Sequence, residues 1–147
     1  MGPVSFLCVP VGEGIRQGSD LDEDAFLNGE DCNAADAGAW TAAGEVSGLV
    51  VSSGSPTLVS WDEQATATGP GVTYNAVGGS LLALHASGLS AATSCLSGNL
   101  SVSGFSDGRP NPPVGDGYYY LTRARNSCAD GGFGAGRSSL NSLTCAP

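Results

Sequence analysis

The sequence predicts an all-β fold, a seven-stranded antiparallel sandwich preceded by an irregular acidic segment. Glycine makes up 23 of 147 residues and charged side chains only 13%, a balance that suits short strands and tight turns better than long charged helices. From Gly44 onward, short β-type runs alternate with Gly, Pro, Ser and Asn at intervals of roughly 8–12 residues or somewhat more, the pattern of a sandwich. Apolar residues are 41% of the chain, enough for one core at this length.

In order, the runs are Glu45–Ser52, Pro56–Trp61, Val72–Val77, Ser80–His85, Leu100–Phe105, Gly117–Arg125 and Phe133–Ser139. Successive side chains of a strand face opposite ways, so alternation identifies the buried face. Thr57, Val59 and Trp61 share a face of the second run, Val72, Tyr74 and Ala76 a face of the third, and Tyr118, Tyr120, Thr122 and Ala124 a face of the sixth. Opposite them lie Ser60 and Asp62, Thr73 and Asn75, and Arg123 and Arg125. Leu58, Val77, Tyr119 and Leu121 interrupt those polar faces, so another segment is expected to cover part of them. The stretch Ser87–Asn99 is long and carries no clear period.

Pro-Thr-Leu-Val-Ser-Trp-Asp (56–62), Val-Thr-Tyr-Asn-Ala-Val (72–77) and Tyr-Tyr-Tyr-Leu-Thr-Arg-Ala-Arg-Asn (118–126), followed by a Gly-rich turn and Gly136-Arg137-Ser138-Ser139, resemble strands B, C, F and G of a fibronectin type III domain. The turn Asn126-Ser127-Cys128 resembles the Cys-containing variant found near the C-termini of secreted multidomain bacterial proteins. The resemblance implies two sheets, Trp61 and Tyr74 in the core, and Tyr118 at the place of a tyrosine corner. Thr122 departs from it, standing where a larger aliphatic is usual.

Five arginines, no lysine and 14 acids set the net charge at -9, which excludes a phosphate-tracking surface and a polybasic grip on anionic membrane. Glu13, Asp20, Asp22, Glu23, Asp24, Glu30, Asp31 and Asp36 place 8 of the 14 acids in the first 36 residues. This shift in composition divides the chain into an N-terminal extension (1–17), an Asp-rich linker (18–43) and the sandwich (44–147).

Within the linker, Asp20-Leu-Asp22-Glu-Asp24-Ala-Phe26-Leu-Asn28-Gly-Glu-Asp31 places oxygen side chains at loop positions 1, 3, 5, 9 and 12. With the Phe26 carbonyl at position 7, this is the spacing at which a chain wraps a hard cation, and Asp20, Asp22, Asp24, Phe26, Asn28 and Asp31 are the expected ligands of Ca²⁺. The string also resembles a thrombospondin type 3 calcium repeat. Ala25 replaces the glycine of the sharp turn, and Asp31 replaces the bidentate Glu of an EF-hand. Without an ion the same segment reads as a solvated acidic linker.

Catalysis has little support. His85 is the one histidine, with no nucleophile elbow or zinc helix beside it, and reads as an ordinary strand residue. Asp62, Glu63 and Asp107 are the carboxylates available for sugar hydrolysis, which requires a cleft that a small sandwich lacks. Gly69–Gly71, Gly78-Gly79 and Gly131–Gly136 do not have the strand-to-helix context of a phosphate loop and read as hairpin punctuation. Tyr118–Tyr120 with Arg123 and Arg125 offers stacking surface, but a core-facing strand explains it more simply.

Cys8, Cys32, Cys95, Cys128 and Cys145 fit no metal spacing and are spread through turn-rich sequence, as in disulfide domains of an oxidising compartment. Sandwich topology favours Cys95 with Cys128 at one pole and Cys8 with Cys32 around the acidic loop, while pairing of Cys145 with Cys95 or Cys128 stays open. No apolar run approaches the roughly 20 residues that span a bilayer, so no membrane insertion is expected. Met1–Pro10 lacks a basic n-region and a sustained apolar run, so either a signal has been removed or the chain is an excised piece. The expected function is a non-catalytic, secreted or cell-surface module for spacing, adhesion or assembly, with a calcium-stiffened joint to an upstream domain or neighbouring subunit. A self-polymerising fibre subunit and an accessory domain of a secreted hydrolase are the alternatives. Nucleic acid is not an expected partner.

Overall fold

The computed structural model describes residues 8, 10, 11, 14, 19–143 and 145. Most of the expected extension 1–17 therefore lies outside the described residues. Two three-stranded antiparallel sheets form the fold. One orders β1 (Val50–Ser52), β2 (Thr57–Ser60) and β5 (Gly104–Asp107) as β1-β2-β5. The other places β3 (Thr73–Ser80) between β4 (Ser94–Leu100) and β6 (Tyr118–Arg125).

Alternation puts the expected residues between the sheets. Val59, Trp61, Val72, Tyr74, Ala76 and Ala124 are buried together there, with Phe105 and Tyr120 packed against them. The Trp61 ring lies 5.5 Å from Tyr74 and 6.3 Å from Phe105, tilted in both cases, as aromatic quadrupoles prefer. The Tyr74 hydroxyl accepts from the Gln64 backbone N–H at 2.8 Å, so its polar end is satisfied inside the core. Tyr118 donates its hydroxyl to the Pro110 carbonyl at 3.1 Å, eight residues upstream, the geometry of a tyrosine corner.

The far side of β3 is buried too, and here the sequence expectations need correction. Asn75, expected on a polar face, is fully buried, and its Oδ1 accepts from the Asn99 N–H at 3.0 Å. Val77 packs with Phe133, Leu140 and Cys145, flanked by Leu89, Leu121 and Leu143. The chain after β6 thus covers this face. Phe133–Ser139, expected as a seventh strand, is instead irregular and runs into a 3-10 helix, Ser138–Leu140. Gly134 and Gly136 take φ of 105° and 75°, left-handed values that end extended backbone. Six strands, not seven, are present among the described residues.

Three further boundaries differ. Ser80–His85 is not a strand: Leu81–Ser87 forms helix α2, after the short helix α1 (Ala65–Thr68) and before α3 (Leu89–Ala92). The Ser80 hydroxyl accepts from the Ala83 N–H and caps α2, and Asp116 accepts from the Leu82 N–H at 3.0 Å. Leu81–Ala86 is rich in good helix formers, and a short apolar run without alternation is compatible with either element. The weakly patterned Ser87–Asn99 contains all of β4 but its last residue, and the Ser, Gly and Asn side chains there hide the period. The expected run Leu100–Phe105 is split, since Leu100 ends β4 and β5 begins at Gly104. In the first run only Val50–Ser52 pairs as a strand, because Gly48 takes a φ of 64° against the Asp62 carboxylate, where a Cβ would collide.

The disulfides join Cys32 to Cys128 and Cys95 to Cys145, and Cys8 is free. The favoured Cys95–Cys128 and Cys8–Cys32 pairs are therefore wrong, and the pairing of Cys145 with Cys95 is the correct one. The tail folds back across β3, which brings Cys145 to Cys95.

Candidate metal centre

The acidic segment is a closed loop docked on the sandwich. The Asn28 N–H donates to the Ser19 carbonyl at 2.7 Å, and the Leu21 N–H donates to Asn28 Oδ1 at 2.9 Å, drawing the two ends together. Inside, Asp20 accepts from the N–H groups of Glu23 and Ala25, Asp24 from Phe26, and Asp31 from Asn33. These bonds turn the chain tightly around its own carboxylates. Glu23 and Ala25 take φ of 62° and 77°. Ala25 thus adopts the left-handed turn at the position where glycine would be unstrained.

Asp20, Asp22 and Asp24 bring carboxylate oxygens within 4.8 Å of one another. Both oxygens of Asp22, Oδ2 of Asp24 and Oδ2 of Asp31 are buried without a hydrogen-bond partner. Buried polar atoms are almost always paired, so four orphaned anionic oxygens in one 12-residue loop call for a positive charge. Desolvation, then the Asp24 and Asp31 charges, push the Asp22 carboxyl above its ordinary range. Of the expected ligands, Asp20, Asp22 and Asp24 therefore converge, and the Asp31 charge acts on Asp22 from nearby. Asn28 spends its side-chain oxygen on closing the loop, and the Phe26 ring stacks on Trp40 at 4.8 Å.

The docking contacts escaped sequence reasoning. Trp40 donates its indole N–H to the Ala67 carbonyl at 3.1 Å. The Cys32–Cys128 bridge fastens the segment to the turn after β6, beside an Asn33 Nδ2 to Ser127 hydroxyl bond of 3.0 Å. Hydrogen bonding to Ser127 holds the Asp36 carboxyl below its ordinary range, so Asp36 acts as a tie to the same turn. No local pattern in the sequence ties Cys32 to Cys128, which lie 96 residues apart.

The other chemical candidates are taken up structurally. Asp107 is held by Arg109 through bonds of 2.7–3.0 Å and by the Tyr120 hydroxyl at 2.8 Å, which brings its carboxyl down to about 2, the Arg109 bonds being the largest cause. Arg109 also lies 4.0 Å over the Tyr118 ring. Asp62 accepts from the Ser47 hydroxyl, and His85 is exposed on α2.

No family model matches the chain, and no curated protein does. Among solved structures it is similar to a fibronectin type III-like protein from Clostridium thermocellum, at 21% identity and a TM-score of 0.43, over 62% of this chain and 84% of that one.

Proposed function

We propose that this chain is a non-catalytic extracellular module for spacing, adhesion or assembly whose N-terminal loop is stiffened by Ca²⁺. The observation that carries the reading is the set of orphaned oxygens on Asp22, Asp24 and Asp31 beside Asp20. Carboxylate oxygens are hard donors, which suit Ca²⁺ rather than a thiophilic or imidazole-seeking metal. Two disulfides support an oxidising compartment, and no helix among the described residues is long and apolar enough to cross a membrane.

The test is a calcium titration of thermal stability and of proteolysis within residues 19–43. At an extracellular-module affinity of roughly 10⁻⁴–10⁻³ M, about 10 mM Ca²⁺ should stabilise the fold by roughly 1–3 kcal/mol. Asp22→Ala combined with Asp24→Ala should abolish that response. Identical melting and cleavage in excess EDTA and in Ca²⁺ would end the calcium reading.

A further inference from the structure

Two buried donors on the far face of the β4-β3-β6 sheet have nothing to donate to. Asn75 and Arg123 stand opposite one another in the β3-β6 register, on the face covered by Phe133, Leu140 and the tail, and are 0% and 3% exposed. Side chains so paired have Cβ atoms about 4.5–5.5 Å apart. The Nδ2 of Asn75 and the Nε of Arg123 are both buried without a hydrogen-bond partner. Turning the Asn75 amide round does not relieve this, because its Oδ1 accepts from the Asn99 N–H at 3.0 Å and a backbone N–H bonds only the oxygen end. Arg123 spends Nη1 and Nη2 on the Asn141 and Leu143 carbonyls and sets its guanidinium 4.9 Å over the Phe133 ring. These contacts orient the cation but bring it no negative charge. No carboxylate among the described residues pairs with it: Asp107 takes Arg109, Asp130 takes Arg125, and Glu45, whose backbone bridges Arg123, has its carboxylate against Gly134 together with the Arg137 guanidinium.

We propose that Asn75 Nδ2 and Arg123 Nε hold a small monovalent anion of chloride's size, sealed between the sheet and the tail that covers it. Both orphaned atoms are donors, and one belongs to a buried positive charge, so their partner has to accept twice and carry negative charge. Water meets only the first requirement. It leaves the guanidinium uncompensated and brings two hydrogens of its own, whereas every orphaned side-chain oxygen among the described residues lies in the acidic loop. Burial sets the size, since Phe133 and Leu140 are 3% and 1% exposed and leave no opening for the outer oxygens of a phosphate or sulfate. The net charge of -9 acts on the approach of an anion from a distance, and physiological salt screens it within about 8 Å. Close to the site, the local donors and the Arg123 charge decide. The anion then serves as an internal fastener of the irregular cover, beside the Cys95–Cys145 bridge.

The experiment uses the full chain in EDTA at constant ionic strength, with chloride replacing gluconate from about 1 to about 200 mM. Each tenfold rise in chloride above the dissociation constant should raise the folding equilibrium constant about tenfold. Amide exchange at residues 133–143 should slow in parallel. Crystals grown with bromide in place of chloride should show an anomalous scattering peak in contact with both nitrogens. Asn75→Leu should lose the chloride response, and this variant also controls for general salt effects, which act on both chains alike. Asp22→Ala with Asp24→Ala should keep the response, which separates this site from the calcium loop. Stability that ignores chloride, a response that Asn75→Leu retains, or an ordinary water between the two nitrogens with no bromide peak there overturns the proposal. Should Asn75→Leu fail to fold, the bromide peak in the unaltered chain decides alone.

Discussion

The two faces of the β4-β3-β6 sheet are both buried, yet they are buried by different means. Toward β1-β2-β5 the cover is a second sheet, and the contact is made by alternating strand residues such as Val59, Trp61, Tyr74 and Ala124. On the far face the cover is irregular chain, Phe133 and Leu140 with the tail, held by the Cys95–Cys145 bridge and by Arg123. Arg123 is 3% exposed, donates to the Asn141 and Leu143 carbonyls at 3.1 Å each, and lies 4.9 Å over the Phe133 ring. A regular cover supplies its own backbone pairing. An irregular one needs covalent and charged fasteners, because its carbonyls have no ladder to join.

The comparison breaks hardest at Trp61. Truncation to Ala should cost about 3–5 kcal/mol, since a large ring is lost from a packed core, and a denaturant midpoint close to wild type would mean the inter-sheet face is misassigned. On the other face, Cys95→Ser with Cys145→Ser should cost about 2–4 kcal/mol through the freed unfolded chain. Hydrogen exchange should then show residues 133–143 opening before the strands do. Equal opening of both faces would remove the distinction between them.

Acid sharpens the contrast at the rim of the inter-sheet core. The Asp107 carboxyl titrates at about 2 in the folded chain against an ordinary 3.8, chiefly through its bonds to Arg109. Its contribution, about 2 kcal/mol, is complete above about pH 4 and is lost as pH falls through 2. Asp107→Asn should flatten stability against pH across that window, as read by melting from acid to neutral buffer. The smallest effect lies outside both faces. Ala25→Gly should relieve the left-handed turn at φ 77° and stabilise the loop by about 0.5–1 kcal/mol, visible as slower cleavage between Asp20 and Asp31.

Legibility in the sequence follows the same division. Pro56–Trp61, Val72–Val77 and Gly117–Arg125 were readable because a sheet packed on a sheet imposes a period of two on its residues. Phe133 and Leu140 were not, because chain that covers a face without forming a strand has no period to detect. Leu81–Ala86 failed for another reason, since an unbroken apolar run fits helix and strand alike. The acidic loop was legible as a candidate because its carboxylates lie within twelve residues and local spacing alone brings them together. What holds it in place, Phe26 on Trp40 and Cys32 on Cys128, depends on separations of 14 and 96 residues that only the fold decides.

The Cys32–Cys128 bridge also sets how the chain carries load. Tension entering through the acidic loop reaches Cys32 and crosses directly to the end of β6, so the 96-residue span between the two cysteines, strands included, is shunted out of the force path. At roughly 3.3–3.6 Å per extended residue, the bridge withholds about 330 Å of contour length. In an oxidising medium the module would stretch as a short stiff link, and a reductant that opens both this bridge and Cys95–Cys145 would release that hidden length as the strands unfold.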